Sequence, residues 1–193
     1  MSMLRLVVAV ALGFTGASCQ LMRHEPMSSA EIQQRSSDLE AALLGLRGVD
    51  KANAEVSREA EQIAWVCVVE GENFAQDNNA VRPSWWNNCL VNLGIHRWGL
   101  CWHFQHYLYG RLHVLDLKQF TVRCGVRDKG NLFHEHHCVV IVPPGGGFHD
   151  GLVIDPWQNS GRTIWFATRG EDGDWIDEPK WVEWLDKQLE RRD

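Results

Sequence analysis

The chain has 193 residues, a net charge of −6 and 45% hydrophobic residues, which suits one packed domain with appendages. It has no long Ser/Pro/Gly tract of the kind that resists folding. The acidic balance, with no basic stripe and no interleaving of aromatic and basic residues, excludes a general nucleic-acid binder. Ten tryptophans point to core and groove-wall positions, because Trp is chiefly a source of buried area.

In chain order, Arg5 makes a short positive segment and Leu6 to Phe14 an apolar one, followed by Thr-Gly-Ala-Ser-Cys at 15–19. That succession is a targeting pattern, and its ending on a cysteine resembles a bacterial lipoprotein signal. The resemblance implies a signal at 1–19 that is cleaved just before Cys19, which is lipidated, becomes the mature N-terminus and attaches the protein to the membrane. Gly16 stands where Leu is commonest. Gln20 lacks the acidic residue linked with inner-membrane retention, which implies an outer-membrane anchor facing the periplasm. The alternatives are an ordinary secretory signal cut near Ala17, or a buried first helix. The apolar run falls short of the roughly 20 residues that a permanent span requires. Beyond Cys19 lie Cys67, Cys89, Cys101, Cys124 and Cys138. An odd five in an oxidising compartment fits two bridges and one free thiol, or five reduced thiols.

Residues 20–28 read as a tether, and 29–193 as a single α+β domain. Ser28 with Glu31 is a capping-box signal, and Ile32, Leu39, Leu43 and Leu46 follow at helical spacing to Gly48. Asp50 is the expected cap of a second helix, with Val56, Ala60, Ile63, Ala64, Cys67 and Val68 as its stripe. Residues 85–92 read as a short helix or turn. Between Gly99 and Gly110, Leu100, Phe104, Tyr107 and Leu108 mark a helix with one buried face. The period then becomes strand-like at 120–126, 136–142, 151–155 and 163–167, with Pro143-Pro-Gly-Gly-Gly147 as a turn. Residues 178–190 make a last helix with Trp181, Trp184, Leu185 and Leu189 as its stripe. Helices first and an antiparallel sheet second is an α+β arrangement.

Three residues carry the chemistry. Cys101 lies in the first turn of its helix, where free backbone N–H groups and the dipole favour an anion. His137 follows it by 36 residues at the start of an apolar strand, and Asp155 ends the next strand 18 residues later. A thiol is a poor nucleophile while protonated, and a helix N-terminus with a nearby imidazolium activates it. A carboxylate beside the imidazole fixes its tautomer. Cys101, His137 and Asp155 are therefore the expected nucleophile, base and orienter. The adjacent histidines leave the register open, so His136 is the reserve base.

Gly99-Leu-Cys101-Trp102, His137-Cys-Val-Val and Val153-Ile-Asp155-Pro156 resemble the three blocks of the transglutaminase-like branch of papain-like cysteine enzymes. The resemblance covers about 60–170. It implies a papain-like core, acyl transfer through a thioester from an amide or ester, and no cofactor. A Cys and a Val follow the His where the family often has a small residue and then an aromatic one. The oxyanion donor stays open: the Cys101 N–H with a Trp indole (Trp65, Trp85, Trp86 or Trp98) or an Asn amide (Asn87, Asn88 or Asn92). Envelope location suggests a peptide, protein or cell-wall amide as substrate.

Two other functions compete. One is a lipid-anchored scaffold or binding protein of the same fold without catalysis. The other is a zinc site in His134-Glu-His-His-Cys138, a run dense in ligand types. Against it, residues 136–142 read as a strand, so further ligands must come from a distance, and no bound metal is expected.

Overall fold

The computed structural model describes residues 22–131, 134–170 and 174–191. The signal segment and Cys19 lie outside the described residues. Ser28 caps helix α1 (Ser29–Leu44), its hydroxyl accepting from the Glu31 N–H at 3.2 Å. Helix α2 (Ala54–Asp77) starts later than the Asp50 signal: Asn53 is the cap, accepting from Glu55 N–H and Val56 N–H. Asp50 instead accepts from Ala52 N–H, closing a turn. The expected stripe from Val56 to Val68 is buried throughout.

The described part of the expected tether is docked. Strand β1 (Met22–Arg23) pairs antiparallel with β2 (Val81–Arg82). Met27 is buried, and its N–H donates to the Glu72 carboxylate, which also holds His24 Nε2 at 2.7 Å. Helix α3 (Trp85–Asn92) leads through a loop to α4 (Cys101–His113).

The sheet comprises β3 (Thr121–Arg127), β4 (His136–Val142), β5 (Leu152–Asp155), β6 (Ile164–Ala167) and β7 (Ile176–Asp177). Its order is β6-β5-β4-β3-β7, and every pairing is antiparallel. Helix α5 (Pro179–Leu189) closes the chain, with proline in its first turn, where a missing N–H costs nothing. Among the described residues the protein is an α+β fold of five α-helices and this five-stranded antiparallel sheet, as the order of periodicities predicts.

Alternation gives the sheet two buried faces. Val139, Ile141, Leu152 and Ile154 meet Leu39, Leu43, Ile63, Cys67, Leu108 and Leu112 from the helices. Each such side chain contributes roughly 1.5–3 kcal/mol on burial. On the opposite face Cys138, Val140, Val142 and Val153 pack with Trp175, Phe148 and Phe166. Buried Glu59 on α2 accepts from Lys118, Gln119 and Phe120 N–H groups, fixing the chain just before β3. Among the described residues Cys67, Cys89, Cys101, Cys124 and Cys138 form no disulfide.

Candidate active site

Cys101 is the first residue of α4, and Leu100 before it is extended (φ −77°, ψ 157°). Gly99 stands at φ +144°, and a Cβ there would lie 3.1 Å from Asn87 Cβ, so both backbone and space select glycine. His103 completes the helix start. Its Nδ1 accepts from Gly99 N–H and Leu100 N–H, both at 3.1 Å. Burial lowers the His103 pKa to about 4, so the ring is neutral and free to accept.

Asp155 is fully buried at the end of β5. Oδ1 accepts from the N–H groups of Trp157 and Gln158 at 2.9 and 3.0 Å, the turn that Asp-Pro announces. Oδ2 accepts from His136 Nε2 at 2.7 Å. The Trp157 and Trp175 rings flank the imidazole, with centroids 5.0 and 5.5 Å away. The Cys101 thiol also acts on this imidazole, helping to raise it, and Cys101 Sγ lies 3.9 Å from the carbonyl oxygen of Glu135. Burial opposes a charge on His136, but Cys138, the Asp155 carboxylate and the Cys101 thiol outweigh it and raise the imidazole above its ordinary range. Asp155 is the partner that sustains this at neutral pH, since burial first and the Asp155 charge second push the Cys138 thiol up to about 12.

The expected base is thus displaced by one residue. His137 lies on the other face of β4, its Nε2 2.9 Å from Glu135 Oε1. The β4–β5 register decides this: Val139 pairs with Ile154 and Ile141 with Leu152. Asp155, one step further, shares the face of Cys138 and His136. A shift of one residue exchanges the faces, and residue alternation alone cannot fix it. His136, the reserve base, is the histidine that meets Asp155 and Cys101.

The competing zinc cluster does not converge. His134 is exposed and His137 is turned to Glu135. His136 and Cys138 instead group with Asp155, their ligand atoms all within 4.8 Å of one another. Of the oxyanion candidates, Asn87 is spent on the backbone, its side chain bonding Val81 N–H and Val81 C=O at 2.9 and 3.1 Å.

Two positioning residues had no reading from the sequence. Gln105, one turn beyond Cys101, donates to the carbonyls of Gly125 and Cys138 at 3.0 and 2.7 Å and accepts from Trp181 Nε1 at 3.0 Å. Trp157 donates its indole N–H to the Gly99 carbonyl at 2.9 Å. The available signal for Gln105 was a polar residue close to the buried stripe of the helix. On the other side of Trp102, a groove of about 410 Å³ is lined by Trp102, Val126, Glu135, His137, Glu178 and Trp181.

No family model, curated protein or solved structure matches this chain.

Proposed function

We propose that the protein is a thiol-dependent acyl-transfer enzyme using Cys101 as nucleophile, His136 as base and Asp155 as orienter. The observation that supports it most is one buried imidazole held at 2.7 Å by a carboxylate, with a thiol at a helix start acting on the same ring. Nε2 is committed to Asp155, which leaves Nδ1 for the thiol. In this reading the Cys101 proton passes to Nδ1, and the sulfur attacks an amide or ester carbonyl. The imidazolium then protonates the leaving amine or alcohol, giving a thioester that water or an amine resolves. The Cys101 N–H, in the first turn where helical partners are absent, serves the developing oxyanion.

The arrangement accords with a transglutaminase-like, papain-like core, and the groove beside Trp102 suits an extended peptide, protein or cell-wall amide. A lipid anchor at Cys19 on the outer membrane, facing the periplasm, completes the reading. No helix among the described residues is long and apolar enough to cross a membrane.

The test is iodoacetamide labelling of the folded protein near neutral pH, followed by peptide mapping. Cys101 should react at least about tenfold faster than Cys67, Cys124 and Cys138, which burial keeps as neutral thiols. An inert Cys101 in folded protein would overturn catalysis and favour the scaffold reading.

A further inference from the structure

Cys138 is a second thiol at the same imidazole, and acyl transfer leaves it without a task. It sits two residues after His136 on one strand face, 1% exposed, with Sγ 3.5 Å from His136 Nε2. Asp155 Oδ2 approaches the same nitrogen at 2.7 Å from β5. We propose that His136, Cys138 and Asp155 form a binding site for a thiophilic divalent cation of the Zn²⁺ type, which switches off the proposed Cys101 chemistry.

The donor set is the first argument. One imidazole nitrogen, one sulfur and one carboxylate oxygen are the ligand types that Zn²⁺ takes, and three protein ligands with one open position is a common count. The spacing is the second. Tetrahedral bonds of about 2.0–2.3 Å put ligand atoms about 3.3–3.8 Å apart. The sulfur–nitrogen separation of 3.5 Å already meets that value. The nitrogen–oxygen separation of 2.7 Å is that of a hydrogen bond, and it opens when the metal replaces the shared proton. The residues are supplied by rigid neighbouring strands, β4 and β5, and Asp155 is held by two backbone N–H groups through its other oxygen. Such outer bonds orient a ligating carboxylate.

The exchange balances in protons. Zn²⁺ bonds Nε2, Sγ and Oδ2, while the Cys138 thiol proton leaves to solvent and the Nε2 proton is relocated to Nδ1. With Nδ1 protonated and Nε2 on the metal, His136 can no longer accept the Cys101 proton. The inhibitory consequence rests on the acyl-transfer reading, whereas the metal site rests on the three ligands alone.

The experiment is a Co²⁺ titration of the metal-free protein carrying Cys89→Ser, which removes the half-buried surface thiol. The expected result is one equivalent bound, with a sulfur-to-cobalt charge-transfer band that Zn²⁺ abolishes by displacement. The band should persist when Cys101 has been carboxamidomethylated. It should vanish in Cys138→Val, which matches the neighbouring Val140 and Val153, with affinity falling by more than the roughly 10–100-fold typical of outer-shell changes. Absence of the band from folded protein overturns the site, and so does its loss on Cys101 alkylation or survival in Cys138→Val. The alkylated sample contains no substitution at the site, so it decides even if Cys138→Val fails to fold. Fast Cys101 labelling without a cobalt band would leave acyl transfer standing and remove only the metal.

Discussion

Trp157 ties itself to Gly99: its indole N–H donates to the Gly99 carbonyl at 2.9 Å. Two loops are joined by that bond, the turn that follows Asp155 and the glycine that precedes the Cys101 helix. Asp155 and Cys101 are thereby held in one frame, with the Trp157 ring also against His136.

Replacing Trp157 with Phe keeps an aromatic ring and removes the donor. The expected cost is about 1–2 kcal/mol in urea unfolding, from one lost hydrogen bond and some lost area. Cys101 labelling should slow by roughly 3–10-fold, since small misplacements of reacting groups weaken catalysis and reactivity alike. Unchanged labelling with lowered stability would reduce Trp157 to a structural residue.

The two adjacent histidines should separate sharply. His136→Gln should remove the fast phase of Cys101 labelling, while His137→Gln should leave the rate within about twofold, because His137 lies on the other face of β4 against Glu135. Asp155→Asn should retain the Trp157 and Gln158 turn through its carbonyl oxygen. Its NH₂ would face Nε2 and favour the tautomer with the proton on Nδ1, lowering any turnover by about 100-fold or more. Labelling rates and circular dichroism of the three variants check this together.

Acid should destabilise the fold well before carboxylates titrate. Burial lowers His103 to about 4, and burial with the charges of His103 and His137 lowers His106 to about 4. Between pH 6.5 and 4 the unfolded chain binds these protons and the folded protein does not, so stability present above about pH 6.5 is lost as pH falls. Protonated His103 would also cease to accept from Gly99 and Leu100. The raised His136 works in the opposite sense: its contribution is complete below its unfolded value and is lost as pH rises, so it does not offset this window. The two rings together should cost about 1–4 kcal/mol at pH 5 relative to pH 7. Thermal unfolding at both values, with His106→Gln giving a shallower dependence, is the measurement.

Gln105→Leu nearly conserves volume and strips three hydrogen bonds. Buried carbonyls of Gly125 and Cys138 and the Trp181 indole would lose their partner. A loss of about 2–4 kcal/mol is expected in denaturant unfolding, and Cys101 labelling should slow because α4 is no longer pinned to β4.

What residue order determined was the inventory and its scaffolding. The period change near Phe120, the buried stripe of α2, the Ser28 cap, the helix start at Cys101 and the strand end at Asp155 are all local, set by periodicity, capping groups and turn chemistry. Local signals erred where two caps competed, as at Asp50 and Asn53, and at 22–28, where docking depends on the partner strand Val81–Arg82. Tertiary structure decided which histidine meets Asp155. His136 and His137 are equivalent in local sequence, but the pairing of Val139 with Ile154 sends Asp155 to the face of His136. Strand register is a long-range property, fixed by how the β4–β5 turn closes and which face the helices bury. The same register brings Cys138 beside His136, and the Trp157 and Gln105 bonds exist only once helix and sheet have met.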